Sequence, residues 1–511
     1  MAHAIGIDVG STNAKAALVA DDGSLVARAG RPITTRSAGE VAEQDPEELW
    51  SAVVGAVAEL TAAAPNAAAD VTTVATCSQY SSIVPVNRAG RPTADLVMYF
   101  DTRGTDHSLE IMNRHPEAFM TWIEHHGIPP VGSGLSLGHM LHLQHDRPDV
   151  HAATATWLEP MDFVNLRLTG RAVATQCTMF TGQLCDNRTL GATAYDPELV
   201  AMAGIDADRL PELIPVDGIV GTVEAGVAEQ MGIPSGAVVP AGMNDSHAGA
   251  FATGAFAEGR VGLAIGTTAV LLDTTDTMAV DLDHEVLSMP SPMPGHYLVW
   301  AENGVAGKSV EHVLGQLLHA ADELGDHRAA DPFVALDAVL AATAPGAGGV
   351  LFLPWLAGSM APQADRMVRG GFLNLSLDTR RTDLVRAAVE GTAHNLAWLL
   401  PCVEAFSGRR AGEIVFGGGA ARSHGWAQVL ADVLDRPVHT LAHPDHAVAR
   451  AVALVGFVRT GSLALGDLDA LVETTTTHEP DSSLRARYAT MQTQFGAAFE
   501  ALRPVFHALN E

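Results

Sequence analysis

Apolar residues near the start of the chain recur in two rhythms. Ala4-Ile5-Gly6-Ile7-Asp8-Val9-Gly10 is a short, mostly apolar run that predicts a buried strand over 4–10. The polar stretch Gly10-Ser11-Thr12-Asn13 separates it from a second strand, Ala16 to Ala20, closed by the turn Asp21-Asp22-Gly23. The rhythm then changes. Asp45-Pro46 is a helix start, with a carboxylate at the N-cap and proline at the first helical position. Leu49, Trp50, Val53, Val54 and Val57 follow at helical spacing. Val71 to Cys77 returns to strand.

Helices are expected over 135–145 and 161–168, and a short buried strand over 237–242 that runs into Met243-Asn244-Asp245-Ser246. Asp245 then opens a helix of small residues. The second half restarts the opening theme: strand 260–265, polar turn Gly266-Thr267-Thr268, strand 269–272. A strand–Gly-[Ser/Thr]-Thr–strand pattern used twice points to two similarly built domains. Further on come a strand at 413–416, the turn Gly417-Gly418-Gly419, and a helix from Ser423 with Trp426, Val429, Leu430, Val433 and Leu434 on one face. Thr474 to Thr477 reads as a low-complexity loop, and a terminal amphipathic helix carries Tyr488, Phe495 and Phe499. Alternating strands and helices make this an α/β protein.

Composition narrows the function. The chain has 511 residues, is 47% hydrophobic and 17% charged, and carries a net charge of −29. That excludes disorder and disfavours nucleic acid or an anionic membrane surface as partner. No apolar run approaches the ~18–20 residues of a membrane helix, so a cytoplasmic protein is expected. Cys77, Cys177, Cys185 and Cys402 form no CxxC pair, which disfavours a disulfide scaffold or a thiolate metal site. Lysine occurs only at 15 and 308, which reads as genome composition without functional weight.

The two Gly-Ser/Thr-Thr turns could each offer backbone N–H groups and hydroxyls to a phosphate, or be plain hairpins. Asp8, two residues before the first turn, could hold Mg²⁺ or be an ordinary turn aspartate. Asp245, after a buried strand, could serve as general base or merely cap its helix. The triple glycine at 417–419 would let a flat ligand approach the backbone, yet Arg422 stands where a dinucleotide fingerprint needs its third glycine. Gly307-Lys308-Ser309 mimics a phosphate loop, but Glu302 stands where the first glycine should be, so it reads as a helix entry. His139, His142 and His145 share one helical stretch but lack a carboxylate partner for a metal.

Taken together these pieces resemble the FGGY family of carbohydrate kinases over essentially the whole chain. Ile5-Gly6-Ile7-Asp8-Val9-Gly10-Ser11-Thr12 is similar to its first phosphate motif and Gly266-Thr267-Thr268 to its second. Glu43-Gln44-Asp45-Pro46 with Trp50, and Asp162-Phe163-Val164-Asn165 with Leu168-Thr169-Gly170, resemble stretches shared across the family. Ser78-Gln79 and Tyr99-Phe100-Asp101-Thr102-Arg103 resemble its sugar-site segments, and Gly242-Met243-Asn244-Asp245 the segment with its catalytic aspartate. Arg369-Gly370-Gly371-Phe372 and Gly417 to Ser423 with Trp426 and Gln428 resemble its C-terminal signature and adenosine motif.

The resemblance implies two actin-like, ribonuclease-H-like domains around a central cleft, taken here as 1–245 and 246–511. It implies ATP-dependent phosphorylation of a sugar or polyol, with xylulose as first guess. Asp245 would be the base, Asp8 would lie near Mg²⁺, and Thr12, Gly266 and Thr267 would touch the ATP phosphates. Gly418, Gly419 and Ser423 would line the adenosine pocket, and Gln79, Tyr80, Asp101 and Arg103 would form the sugar site. The expected partner is a small molecule, with a homodimer allowed. Tyr80-Ser81 replaces the Met-His usual in xylulokinases, Tyr99 a usual Trp, and Gly358-Ser359-Met360 a usual Gly-Glu-Arg. Ala449-Arg450-Ala451 replaces a usual Gly-Ala-Ala, a bulk expected to crowd helix packing near the nucleotide. Two rivals remain at this level: a non-catalytic sugar or nucleotide sensor on the same fold, and an actin- or chaperone-type ATPase.

Overall fold

The computed structural model describes residues 2–132 and 134–510. The first half is built on one main sheet, with smaller sheets beside it, one of them containing the strand Val41–Gln44. The strands of the main sheet are β1 (His3–Val9), β2 (Asn13–Ala20) and β3 (Leu25–Pro32), then, after helix α1 (Pro46–Ala63), β4 (Val71–Ser78). Helices α2 (Ser136–His145) and α3 (Pro160–Thr169) precede β5 (Ile219–Thr222) and β6 (Val238–Pro240). The spatial order is β5-β6-β4-β1-β2-β3, with Met243–Asn244 as a short extra strand against β4. Asp45 caps α1 by accepting from Glu47 N–H at 2.8 Å, as the Asp-Pro pair predicts.

Helix α4 (Asp245–Thr253) leads into the second sheet. Its strands include β7 (Arg260–Ile265), β8 (Thr268–Thr275) and β9 (Tyr297–Val305), joined later by β10 (Glu413–Gly417), β11 (Val438–Leu441) and β12 (Thr474–His478). Helices α5 (Arg381–Ser407), α6 (His424–Leu434), α7 (Ala447–Arg459) and α8 (Arg485–Asn510) complete this half. The order β9-β8-β7-β10-β11-β12 repeats the first sheet: an antiparallel β7–β8 hairpin mirrors β1–β2, and the parallel β7–β10 pair mirrors β1–β4. The repeated turn motif therefore marks a repeated architecture, as expected from the sequence.

Two expectations need correction. Thr474–His478 is an edge strand paired antiparallel with β11, because β-branched threonines suit an extended, half-exposed backbone. Arg450 does not crowd its helix. Its guanidinium is buried and donates to the carbonyls of Gly23 at 2.8 Å and Leu471 at 2.9 Å, and to Glu473 at 3.0 Å. Small residues of the same helix pack on the first sheet. Ala449 and Ala453 are fully buried, and a Cβ at Gly6 would fall 1.8 Å from the Ala449 carbonyl oxygen. Helix α7, from the end of the chain, thus lies directly on β1. Among the described residues no helix is long and apolar enough to cross a membrane.

Candidate active site

Strands β1, β4 and Met243–Asn244 run parallel, with Asp8 and Met243 both opposite Cys77. Their carboxyl ends therefore deliver Asp8, Gln79 and Asp245 to one edge of the sheet, where ligand crevices form in α/β folds. Asn244, not Asp245, is the N-cap of α4: its side chain accepts from His247 N–H at 2.8 Å. That removes the capping explanation for Asp245 and leaves its carboxylate for other work. Burial pushes Asp245 up to about 7, with the Asp8 charge adding to the shift and the Ser246 N–H opposing it. Burial also raises Asp8, against the pull of Lys15, its cross-strand partner on β2.

The segment that follows β4, Gln79 to Ser82, is tightly braced. Gln79 donates to Gln44 Oε1 at 2.8 Å, and Gln44 in turn donates to the Ser11 carbonyl at 2.7 Å, tying this segment to the first phosphate turn. Ser246 donates to Tyr80 Oη at 3.4 Å, next to Asp245. Behind them, Ser81 sits at φ +55°, a left-handed conformation unfavourable for serine. His139 hydrogen-bonds the Ser81 carbonyl at 3.1 Å, and Glu159 accepts from Ser82 N–H at 3.1 Å. Burial holds His139 neutral, down to about 4, and pushes Glu159 up to about 8. Two of the three helical histidines are thus buried braces or ion-pair partners, and no cluster of three metal-ligating side chains exists among the described residues. Glu159 could not be found from spacing, and the spacing that singles out His139 does not show its role, because both act only once the Gln79–Ser82 turn packs on them.

Asp101 is fully shielded, with side-chain exposure of 0%. Its oxygens accept from Ala42 N–H at 2.8 Å, from Arg103 N–H at 3.1 Å and from the Arg103 guanidinium at 2.8–3.1 Å. Arg103 reaches on to Glu43 at 2.7 Å. With every acceptor direction of Asp101 taken, this carboxylate positions Arg103 and the 42–43 strand.

On the other side, a cavity of about 510 Å³ is lined by Gly266, Thr267, Gly419, Ser423 and Trp426, with Phe333 and Val334 as an apolar wall. The volume suits a nucleotide-sized ligand. Four of the residues expected at the nucleotide are therefore brought together. Gly418 lies one residue behind: at φ +81°, a Cβ there would meet the Ile265 carbonyl oxygen at 2.5 Å, so its missing side chain lets the loop press on β7. Ser423 caps α6, accepting from Trp426 N–H at 3.0 Å, and donates to Asp337. Thr12 is exposed on the β1–β2 turn, its hydroxyl accepting from Asn13 at 3.0 Å, outside the lining of this cavity. Lys308 also lines the cavity and pairs with Glu311 at 2.9 Å. Lys308 thus stands beside Thr267, whereas Lys15 lies opposite Asp8 on β2, outside the lining of this cavity.

The N-terminal domain model of the FGGY family of carbohydrate kinases matches residues 3–252, and the family's C-terminal domain model matches 262–460. The chain belongs to this family. It is a carbohydrate kinase, a phosphotransferase with an alcohol group as acceptor, on a two-domain actin-like fold. It is similar to a gluconokinase of Bacillus subtilis, 24% identical with 96% of this chain and 94% of that protein covered. A xylulose kinase of the same organism is 25% identical, covering 89% and 88%. The solved xylulose kinase from Rhodospirillum rubrum superposes with a TM-score of 0.85 at 26% identity, over 99% of this chain and 100% of that one.

Proposed function

We propose that the chain transfers the γ-phosphoryl group of ATP to a hydroxyl of a sugar or polyol, with Asp245 as general base. The observation that carries this reading is the Asp245 carboxylate: released from capping duty, at the carboxyl end of parallel strands, and held near neutrality beside Asp8. A base with that affinity can accept a hydroxyl proton at physiological pH. The transition state of phosphoryl transfer is loose, so positioning and charge neutralisation carry most of the catalysis. Thr12 and the Gly266-Thr267 turn grip phosphate oxygens, Lys308 adds a positive charge, and Gly418, Gly419 and Ser423 shape the nucleoside end. Gln79 and Tyr80 face the acceptor, and Asp101 holds Arg103 towards it.

Asp8 suits Mg²⁺. It is a carboxylate left partly desolvated beside a second one, and a cation relieves that repulsion. Phosphate oxygens and water would complete the shell of such an ion, as is usual for this cation. When bound, the ion neutralises phosphate charge. The two units divide at 245/246, which puts the base at their junction. The test is ADP release across a panel of pentuloses, hexuloses and polyols, with Asp245→Asn as control. Binding of sugar and nucleotide without ADP release would return the sensor reading.

A further inference from the structure

The cavity of about 510 Å³ has two chemically different parts. Gly266, Thr267, Gly307 and Lys308 offer backbone N–H groups, a hydroxyl and an ammonium, which suit phosphates. Phe333, Val334, Asp337 and Trp426 offer apolar surface, one carboxylate and one indole. We propose that Asp337 selects the base of the nucleotide: its unpaired carboxylate oxygen takes the exocyclic amine of adenine and turns away 6-oxo purines. This rests on the seating of ATP in this cavity, which is part of the phosphotransfer reading above.

Asp337 stands on the short helix Leu336–Ala342. Its Oδ1 accepts from the Ser423 hydroxyl and from Gly425 N–H at 3.1 Å, which fastens it to the start of α6. Gly425 makes room for this contact: a Cβ there would meet Leu340 Cδ1 at 2.9 Å and Asp337 Oδ1 at 3.0 Å. Asp337 Oδ2 takes no hydrogen bond or ion pair among the described residues. One oxygen thus fixes the side chain and the other is left for a ligand. Asp331 Oδ1 accepts from Phe333 N–H at 2.9 Å, and this turn leaves the Phe333 and Val334 side chains exposed along the cavity. A flat, aromatic base gains by stacking on such a wall. Trp426 lines the same space at 1% exposure, and its buried indole N–H meets no acceptor among the described residues.

Adenine answers both groups. Its amine donates to a carboxylate, and its ring nitrogens accept from an indole N–H. Hypoxanthine, the same ring with an oxygen in place of the amine, sets an acceptor against Oδ2. A site built to bond one polar group rejects the analogue that lacks it. A ribose would set its hydroxyls against the apolar wall, so the base is the better match.

The experiment titrates ADP, inosine diphosphate and 2′-deoxy-ADP, each with Mg²⁺, into the full chain and into Asp337→Asn and Asp337→Ala by calorimetry. ADP should bind the wild type about tenfold or more tighter than inosine diphosphate. Asp337→Asn keeps Oδ1 for Ser423 and Gly425 and puts an amide donor where Oδ2 stood, so that ratio should narrow about fivefold or more. Asp337→Ala should narrow it too, through weaker ADP binding. Equal wild-type affinity for the two nucleotides overturns the inference. So does an unchanged ratio in either variant that keeps the wild-type melting temperature. Narrowing of the ADP to 2′-deoxy-ADP ratio in its place assigns the carboxylate to the ribose and equally overturns it. Binding is read without an acceptor, so the two readings fail separately: a chain that prefers ADP in this way yet releases none from ATP with any sugar loses the phosphotransfer reading and keeps this one. No binding of any of the three nucleotides takes ATP out of the cavity and this inference with it.

Discussion

Asp8 near the end of β1 and Asp245 just after Met243–Asn244 flank β4 at Cys77, and the charge of each acts on that buried thiol. Two carboxylates so placed cannot both ionise freely without a cation between or beside them. The pair therefore joins the proposed metal-proximal and base positions in one electrostatic unit.

Asp245→Asn keeps the shape of the side chain and removes its proton affinity. Acceptor phosphorylation should fall by about 10²–10⁴-fold with ATP binding nearly intact. Turnover above about half that of the wild type would remove Asp245 as base.

The same group sets a pH profile. Asp245, held up at about 7, must be ionised to accept a proton. The acceptor kcat/KM should therefore fall about tenfold per pH unit below that value. The stability sign is opposite: a raised folded-state value means folding favours the protonated form, so the contribution is lost as pH rises from the ordinary carboxylate range through about 7. Asp245→Asn should melt at or above the wild-type temperature at pH 8, with the gap closing at pH 5. Flat kinetics across pH 5–8 would contradict the assignment.

Thr267→Val deletes one hydroxyl at nearly constant volume in a cavity-lining turn. The ATP KM should rise or kcat should fall without unfolding. Unchanged kinetics with a lower melting temperature would make 266–268 a structural hairpin only.

Asp101→Ala strips the buried partner from Arg103 and from Ala42 N–H. The sugar KM should rise about tenfold or more, at ~1–3 kcal/mol per unpaired group, with the ATP KM within about twofold. Some loss of thermal stability accompanies it, because both orphaned donors are poorly solvated. Equal loss of ATP and sugar affinity would take the 101–103 segment out of the acceptor site.

Much of this architecture was legible because it is local. The Asp45-Pro46 start of α1, the two strand–turn–strand repeats and the Ser423 cap of α6 each follow from a few adjacent residues whose backbone preferences agree. The threonine run at 474–477 was misread because composition reports polarity, whereas pairing with β11 is a long-range event. Glu159 carries no local pattern at all, and the helical spacing of His139 says nothing of what it braces. Each acquires meaning from a partner far along the chain, at Ser82 and Ser81 respectively.

By itself the sequence determined the strand and helix rhythm, the twofold use of a phosphate-type turn, and the list of residues with the right chemistry. Only the tertiary structure decided that Asn244 rather than Asp245 caps its helix, and that Asp101 is saturated by Arg103. Backbone propensity acts over a few residues, but desolvation, charge coupling and hydrogen-bond saturation depend on distance in space, and that distance exists only after the two sheets and α7 have packed.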